Sequence, residues 1–459
     1  MNKPTAFLLV LFLTVTLLSY LIAGPAWDII AHYLNAKNYL NPLFLSRSFG
    51  SFNNRGWEIQ YNTFYIEPSR EVMPTALLVP LELVFNNPVL PYLVVLCIIL
   101  AVSIWSFGKS LNLDNILTYS LMLSPFFIYF SLLVNTTEIL SVSFLLITLG
   151  LLYKKNPAAG IFLALAGLSK DPNLIFIPML LLLGEKKKIF VAYSLFVLVT
   201  LPWLLFNYWF YGNPFYGYIS DFTFNVASTT SLSIPIIPIL IGIAIPVIYM
   251  LLGLSSSGIK KARQIVISSL KKSSFTAIAM AFSILAVIAY LIIAQNTDPF
   301  GKIRFAYLLY LPATLFALIV MQQEIKKMPK LRIYSVSLSA ILLIGAFASF
   351  YYTETTTQLG SVNVNWNRSI VKSAISKLDS LGYQNCRITS NAWVYLIYLN
   401  ESAYSSLFLN NSVSTEYPVL IFNGIGISAS GYWNINESRL AFSNASFSIY
   451  YPKNVTCVK

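Results

Sequence analysis

Apolar runs of about 18 or more residues, each long enough to cross a hydrocarbon core roughly 30 Å thick as an α-helix, recur along this chain. Only 10% of the 459 residues are charged and 57% are hydrophobic. Ordinary soluble domains are about 25% charged. These features exclude a soluble globular enzyme, a disordered protein and a coiled coil, and they predict a polytopic membrane protein.

The formal net charge of +13 is explained by membrane topology. The basic residues cluster in short runs between apolar segments, such as Lys186-Lys187-Lys188 and Lys326-Lys327. Cytoplasmic loops of membrane proteins carry such runs, whereas a nucleic-acid surface needs a folded soluble domain to present it. We therefore expect membrane lipids, and no nucleic acid, among the partners.

Hydropathy and charge together predict about 11 transmembrane helices, with a cytoplasmic N-terminus and an extracytoplasmic C-terminus. Lys3 precedes the first run, and the segment Val72–Phe85 is too short and too rich in proline to span, which favours a re-entrant or interfacial position. Counting this segment as a span would move the basic runs outside. The expected spans cover 5–23, 89–107, 115–133, 137–153, 157–169, 173–184, 189–206, 234–254, 275–294, 303–321 and 333–351.

The composition becomes polar after residue 352, which predicts a second domain over 353–459 beyond the membrane domain 1–352. An amphipathic helix is expected over Trp366–Leu381 and strands over 387–389, 418–422 and 447–450, so this domain is expected to be a small α/β fold. Its N-x-Ser/Thr sequons indicate a glycosylated extracytoplasmic domain. The candidate glycosylation sites are Asn367, Asn400, Asn410, Asn436, Asn444 and Asn454.

The cysteines agree with this topology. Cys97 lies within an expected span, where it packs, while Cys386 and Cys457 lie in the predicted extracytoplasmic domain. A disulfide between these two is allowed in an oxidising compartment. The fold class expected from the sequence is thus an all-α polytopic membrane protein with a small C-terminal α/β domain, in the cell membrane.

Ionisable residues near the outer ends of the spans are the candidate site residues, because charges at membrane depth are costly. The sequence has no P-loop, dinucleotide fingerprint, Cys–His metal spacing or nucleophile elbow, and it has a single histidine. The candidates fall into four groups on one membrane face: Asp28 with His32; Glu138; Lys170 with Asp171; and Asp298 with Lys302 and Arg304.

Each group also has a structural interpretation. Asp28 could simply cap a helix. Glu138 could lie at the membrane boundary without a chemical role. Lys170 and Asp171 could form a local ion pair at a helix break. At the start of the span that begins at Ile303, one of the two cations Lys302 and Arg304 is explained by snorkelling, in which a long side chain extends its charged end to the membrane surface. Acids paired with cations, in contrast, suit the binding of a lipid phosphate, with carboxylates left for proton abstraction or metal binding.

Several segments resemble the polyprenyl-phosphate-sugar glycosyltransferases of the GT-C fold, a family that includes protein O-mannosyltransferases and aminoarabinose transferases, and the closest similarity is to archaeal members. The resemblance covers roughly residues 1–350 in order and spacing, and the segment Leu201–Tyr216 is its most specific part. It is carried by Asp28, Ser124-Pro-Phe-Phe-Ile-Tyr-Phe, Asn135-Thr-Thr-Glu, Ala164-Leu-Ala-Gly-Leu-Ser-Lys-Asp-Pro, Leu201-Pro-Trp-Leu-Leu-Phe-Asn-Tyr-Trp-Phe-Tyr-Gly-Asn-Pro-Phe-Tyr and Arg304-Phe-Ala-Tyr-Leu-Leu-Tyr-Leu-Pro.

The resemblance implies transfer of a sugar from a polyprenyl (dolichyl) phosphate donor to a hydroxyl of a protein or glycan acceptor, with inversion. Asp28, in the first outer loop (about 24–88), takes the catalytic role of the family. The expected phosphate-binding cations are Lys302, Arg304, Lys170 and Arg70. Glu138, His32, Asp171 and Asp298 are the expected sugar- or metal-binding residues.

Two departures from the family pattern leave the cofactor open. Asp28 is followed by Ile29 where many relatives have a second acid, and the second-loop acid is Glu138 where Asp is usual. Some GT-C enzymes need a divalent cation such as Mg²⁺ or Mn²⁺ and others do not. Asp28 and Glu138 are the candidate ligands for such an ion.

Three other functions compete with this interpretation. A transporter or lipid flippase would have polar residues at mid-depth and internal repeats, and no clear repeat is present. An enzyme that transfers a whole oligosaccharide to Asn would have larger outer loops. A structural envelope protein that uses its membrane spans only as an anchor would need fewer than eleven spans.

Overall fold

The computed structural model shows a mostly helical protein with a small C-terminal sheet. It describes residues 3–23, 27–40, 71–85, 87–123, 136–219, 236–254, 274–296, 305, 307–325, 329–356, 368–383, 386, 388–390, 396, 403–405, 418–422 and 438–452. The chain divides into two compact units, one of residues 1–17, 69–74 and 90–348, and the other of residues 18–68, 75–89 and 349–459.

The helices follow the apolar runs of the sequence closely. In chain order they are α1 (Lys3–Ala23), α2 (Trp27–Tyr39), α3 (Val72–Val84), α4 (Val89–Ser110), α5 (Asn115–Met122), α6 (Thr136–Tyr153), α7 (Ala159–Ser169), the 3-10 helix Asp171–Leu183, α8 (Lys186–Tyr211), α9 (Ile236–Leu254), α10 (Ser274–Asn296), α11 (Tyr307–Ile325), α12 (Lys330–Thr356) and α13 (Arg368–Ser380).

Five helices among the described residues are long and apolar enough to cross a membrane: Lys3–Leu21, Val89–Ser110, Lys186–Trp209, Phe275–Ile292 and Lys330–Ser349. Large apolar side chains on α8 face outward, with Phe190 73% and Leu198 63% exposed. Exposed apolar surface of this extent is typical of helices that contact lipid. The membrane character expected from the sequence is supported, whereas the count of about eleven spans is not confirmed.

Two expected spans differ from ordinary membrane helices. The helix expected over 115–133 ends at Met122, and residues 124–133 lie outside the described part. The segment expected over 173–184 is a 3-10 helix of 13 residues. A 3-10 helix rises about 2.0 Å per residue, so this one reaches about 26 Å, where an α-helix of equal length would reach only about 20 Å.

The helices of the first unit approach one another closely where small residues face each other. A Cβ built on Gly160 of α7 would lie 1.9 Å from the carbonyl oxygen of Ala192 on α8. A side chain there would therefore push the two helices apart. Close approach at glycine is a common way for membrane helices to pack.

One end of the first unit is held by a set of polar contacts that we call the Asp114 clasp, made of Asp114, Gln322 and Arg332. The Asp114 carboxylate accepts from Leu117 N at 3.1 Å, which caps α5, and from Arg332 Nε at 2.8 Å and Nη2 at 2.7 Å. The Asp114 amide donates to Gln322 Oε1 at 2.8 Å. The clasp thereby joins the start of α5 to the end of α11 and the start of α12.

The C-terminal region has the α/β character expected of it. Helix α13 and strands β1 (Ile388–Ser390), β2 (Ala403–Ser405), β3 (Val419–Phe422), β4 (Ser438–Ser443) and β5 (Phe447–Pro452) are present, with sheet order β2-β1-β3-β5-β4. β1 pairs with β2 and β3 in parallel, and β5 pairs with β3 and β4 antiparallel. The expected helix and strands are found within a few residues of their predicted positions; β2 and β4 were not expected.

Candidate functional site

A buried ion cluster lies at the end of the first unit where α6 and α11 begin. The Lys170 ammonium contacts the Glu71 carboxylate and lies 3.8 Å from Glu138 Oε1. The three side chains are 10%, 9% and 0% exposed, respectively. We call these three residues the Lys170 cluster. Two carboxylates thus lie beside one buried ammonium.

Polar and aromatic side chains complete the surroundings of the Lys170 cluster. The Lys170 ammonium lies 5.4 Å from the centroid of the Phe305 ring, a cation–π distance. Buried Asn173 donates from Nδ2 to Ser141 Oγ at 2.5 Å and to Ala166 O at 3.0 Å, and it accepts at Oδ1 from the Tyr307 hydroxyl at 3.3 Å. This second set of contacts ties α6, α7, the 3-10 helix and α11 together.

Four helices begin at or beside the Lys170 cluster. Glu71 directly precedes α3, Glu138 is the third residue of α6, Lys170 is the N-cap of the 3-10 helix, and Tyr307 is the first residue of α11. The N-terminal end of a helix carries unsatisfied N–H groups and a partial positive charge. The helix ends therefore favour negative charge at this position, which helps to explain how two carboxylates are accommodated around one lysine.

Among the described residues, the structure brings together members of two of the four groups proposed from the sequence, Glu138 and Lys170. Asp171, next in the chain, begins the 3-10 helix. Burial, and to a smaller extent the nearby Asp171 carboxylate, raises the pKa of Tyr218 above its ordinary value. Asp171 is therefore close to Tyr218, two residues beyond Leu201–Tyr216, the most specific part of the family resemblance.

The first-loop residues are positioned by a helix in the second unit. Asp28 lies at the start of α2, and its side chain is outside the described residues. His32, four residues further along α2, is fully buried, with Nδ1 3.0 Å from the Thr75 hydroxyl. His32 is thus a buried side chain that makes a specific hydrogen bond.

Several expected site residues lie outside the described residues: Arg70, Asp298, Lys302 and Arg304 in the membrane domain, and Asn367, Asn400, Asn410, Asn436, Asn454 and Cys457 in the C-terminal domain. Cys386 is disulfide-bonded and Cys97 is free and buried. Asn444 is exposed in the turn between β4 and β5, where its Oδ1 accepts from Ser446 N and Phe447 N, both at 2.8 Å.

Glu71 and Phe305 are the site residues that sequence reasoning missed. Glu71 directly follows Arg70, which was singled out, and Phe305 directly follows Arg304. For Glu71, the available signal was an acidic residue next to a candidate cation at the start of an apolar segment. No pattern within the sequence links Glu71 to Lys170, because the two are 99 residues apart.

A search of the described residues finds no group of three or more His, Cys, Asp or Glu that could hold a metal ion. Within that part of the chain, Lys170 occupies the position beside Glu71 and Glu138 that a cation would take. The ammonium and the N-terminal helix ends are groups that interact favourably with anions.

Comparison with known proteins adds no assignment. No protein-family model matches this chain, and no curated protein or solved structure is significantly similar to it. The features that bear on function are therefore the sequence resemblance and the geometry of the Lys170 cluster.

Proposed function

We propose that this protein is an integral membrane glycosyltransferase of the GT-C type. It moves a sugar from a polyprenyl (dolichyl) phosphate to a hydroxyl of a protein or glycan acceptor on the extracytoplasmic face. The proposal includes about eleven membrane spans, a cytoplasmic N-terminus and an extracytoplasmic C-terminal domain, as the distribution of basic loops favours.

The single observation that carries the proposal is the buried Lys170 cluster. Burying charged side chains costs stability, and charged residues at membrane depth are functional candidates for that reason. A lysine among helix N-termini is suited to binding a phosphate. The sequence resemblance adds the donor class, because this family takes lipid-linked sugar phosphates.

The proposed mechanism is a direct displacement at the anomeric carbon. Asp28 takes the proton from the acceptor hydroxyl, or orients it, as the acceptor oxygen forms its bond to that carbon. The bond from the anomeric carbon to the phosphate oxygen breaks at the same time, and its electron pair leaves with the lipid phosphate. Lys170, with Lys302, Arg304 and Arg70, neutralises the charge on this leaving group.

The test is release of lipid phosphate from a panel of radiolabelled polyprenyl-phosphate sugars by the purified protein in nanodiscs, with membrane extract as acceptor. We expect release from one donor by the wild type and loss of release in Asp28→Asn. Asp114→Asn is the matched control, because it makes the same substitution at an aspartate whose side chain caps α5 and pairs with Arg332. Equal release by wild type and Asp28→Asn would remove the catalytic assignment. Parallel reactions with EDTA decide whether a divalent cation is needed.

A second candidate function, that of a transporter or lipid flippase, is favoured by the end of α5. This helix stops after 8 residues, where the Tyr310 hydroxyl donates to Leu121 O and the Ser339 hydroxyl donates to Ser120 O, both at 2.6 Å. Helices that end within a bundle are common in transporters. Movement of a labelled lipid phosphate between leaflets without cleavage would favour this function over transfer.

A further inference from the structure

Three lysines occupy the first turn of α8, where a helix favours negative rather than positive charge. Lys186, Lys187 and Lys188 begin this helix of 26 residues, and the N-terminal end of a helix carries a partial positive charge. The residue before them, Glu185, makes no capping hydrogen bond, and its carboxylate pairs with Lys188 at 2.6 Å. The ammonium groups of Lys186 and Lys187 therefore lie where the helix itself disfavours them.

A second pair of lysines lies beside this turn. Lys154 and Lys155 follow the end of α6, and the Lys155 ammonium donates to the Leu182 carbonyl near the end of the 3-10 helix. A basic group beside the last carbonyls of a helix is stabilising, so the fold uses the charge of Lys155. Leu182 precedes Lys186 by four residues, which the chain spans in at most about 14 Å. The two lysine turns are therefore neighbours.

The fold does not use the charges of the other three lysines in these turns, Lys154, Lys186 and Lys187, which we call the Lys186 edge. All three are exposed, and in the described part of the chain none of them forms an ion pair. Cations held close together repel one another. The preference for basic residues on the cytoplasmic side explains lysines at this end of α8, but it does not require them in the first turn of a helix.

The length of α8 places the Lys186 edge at the level of lipid headgroups. A stripe of exposed side chains runs along this helix from Lys187 through Phe190 and Leu198 to Tyr208. Lys187 and Tyr208 are about 32 Å apart at a rise of about 1.5 Å per residue, close to the thickness of about 30 Å of a hydrocarbon core. Tyrosine is enriched at membrane surfaces. With Tyr208 at one surface, Lys187 lies at the other, where the phosphates of membrane lipids are found.

We propose that the Lys186 edge binds the headgroup of an anionic phospholipid in the bilayer. The lipid phosphate lies among the three ammonium groups, and the acyl chains contact exposed apolar side chains of the same stripe, beginning with Phe190. Basic clusters beside membrane helices attract anionic lipids in this way. Lys170 is the N-cap of the 3-10 helix and Lys186 follows its C-terminal end. The lipid site is thus separate from the Lys170 cluster, and it does not depend on the transfer reaction.

The test counts lipids bound to the intact protein in detergent by native mass spectrometry. Phosphatidylglycerol is the anionic probe, and phosphatidylcholine with the same acyl chains is the probe without net charge. Each lysine near an anionic lipid contributes about fivefold to binding. We therefore expect Lys186→Gln/Lys187→Gln to bind phosphatidylglycerol about 25-fold more weakly than the wild type and to bind phosphatidylcholine equally. Lys186→Arg/Lys187→Arg, which keeps both charges, is expected to bind both lipids as the wild type does.

The matched control is Lys109→Gln/Lys330→Gln, which removes two exposed lysines from the last turn of α4 and the first turn of α12. This variant is expected to bind phosphatidylglycerol as the wild type does. Lys154→Gln is expected to weaken binding about fivefold. Because this residue lies outside α8, the single variant also tests the site if the double variant does not fold.

Three results would overturn the inference. The first is binding of phosphatidylglycerol by Lys186→Gln/Lys187→Gln and by Lys154→Gln at the wild-type level. The second is equal weakening by the control pair, which would mean that net charge alone decides binding. The third is displacement of phosphatidylglycerol by an equal concentration of glycerol phosphate, which would mean that the site binds a soluble anion and gains nothing from acyl chains.

Discussion

The first unit has an ionic contact at each end of α11, and the two differ in burial and in the charged residues that form them. In the Asp114 clasp, one aspartate meets one arginine, and the arginine side chain is 45% exposed. In the Lys170 cluster, two carboxylates meet one lysine, and the Glu138 side chain is fully buried. Tyr307 and Gln322, near the two contacts, are about 22 Å apart along the helix axis at a rise of about 1.5 Å per residue.

This difference separates a contact that stabilises from one that is expected to act on a ligand. The Asp114 carboxylate is neutralised by Arg332 and also caps α5, so its hydrogen bonds are used within the fold. The Lys170 cluster places three ionisable side chains in a buried position, and taking charges out of water costs stability. Departures of this kind from the rules of stability are typical of functional sites.

The largest expected effect comes from Lys170→Met, which removes the charge but keeps most of the side-chain volume. We expect turnover of the lipid-linked donor to fall by about a hundredfold or more, because loss of one group that stabilises a developing anion costs this much in other enzymes. The measurement is the initial rate of lipid phosphate release at saturating donor. A rate within a few-fold of the wild type would remove Lys170 from the site.

The same variant is expected to destabilise the protein, because it removes a buried ammonium that contacts the Glu71 carboxylate and lies near that of Glu138. The expected loss is about 3 to 5 kcal/mol, typical of a broken buried ion pair, measured by unfolding in mixed micelles with SDS. Adding Glu71→Gln to Lys170→Met should restore part of the stability but none of the turnover. Recovery of turnover in the double variant would contradict the account.

Changing Asp114 to Ala is expected to produce the opposite pattern. The cap on α5 and the pair with Arg332 are lost together, so the free energy of unfolding should fall by about 1 to 2 kcal/mol. Turnover per folded molecule should equal that of the wild type, because the clasp lies at the other end of α11. The check is the rate normalised to the monodisperse fraction from size-exclusion chromatography.

The smallest expected effect comes from Glu185→Gln, which breaks the exposed pair with Lys188. Exposed ion pairs contribute about 0 to 1 kcal/mol, so stability in the same SDS titration should stay within that range and turnover should not change. A large loss of either would mean that exposure is a poor guide to function in this protein.

The sequence predicted the helices well where an apolar run determines them. The observed Val89–Ser110, Thr136–Tyr153 and Ser274–Asn296 lie within a few residues of the expected 89–107, 137–153 and 275–294. Membrane helices are set by local hydropathy, so this agreement has a simple cause. The 3-10 geometry of Asp171–Leu183 was not predicted, because the apolar pattern of a short run does not distinguish the two kinds of helix.

The sites were predicted only in part, for a different reason. Glu138 and Lys170 were identified because each is an ionisable residue at the end of an apolar run. Glu71 and the Asp114–Arg332 contact were missed because their contacts join positions 99 and 218 residues apart. Pairing over such distances depends on how helices pack, and no local pattern encodes it.

The most direct test of the central claim, that lipid phosphate binds at the Lys170 end of α11, is photocrosslinking in nanodiscs. A polyprenyl phosphate with a photoreactive group next to its phosphate is bound and irradiated, and the labelled peptides are identified by mass spectrometry. We predict labelling of peptides that contain Glu138, Lys170 or Tyr307, and loss of that labelling in Lys170→Met. Labelling confined to peptides around Asp114 and Arg332 would contradict the account.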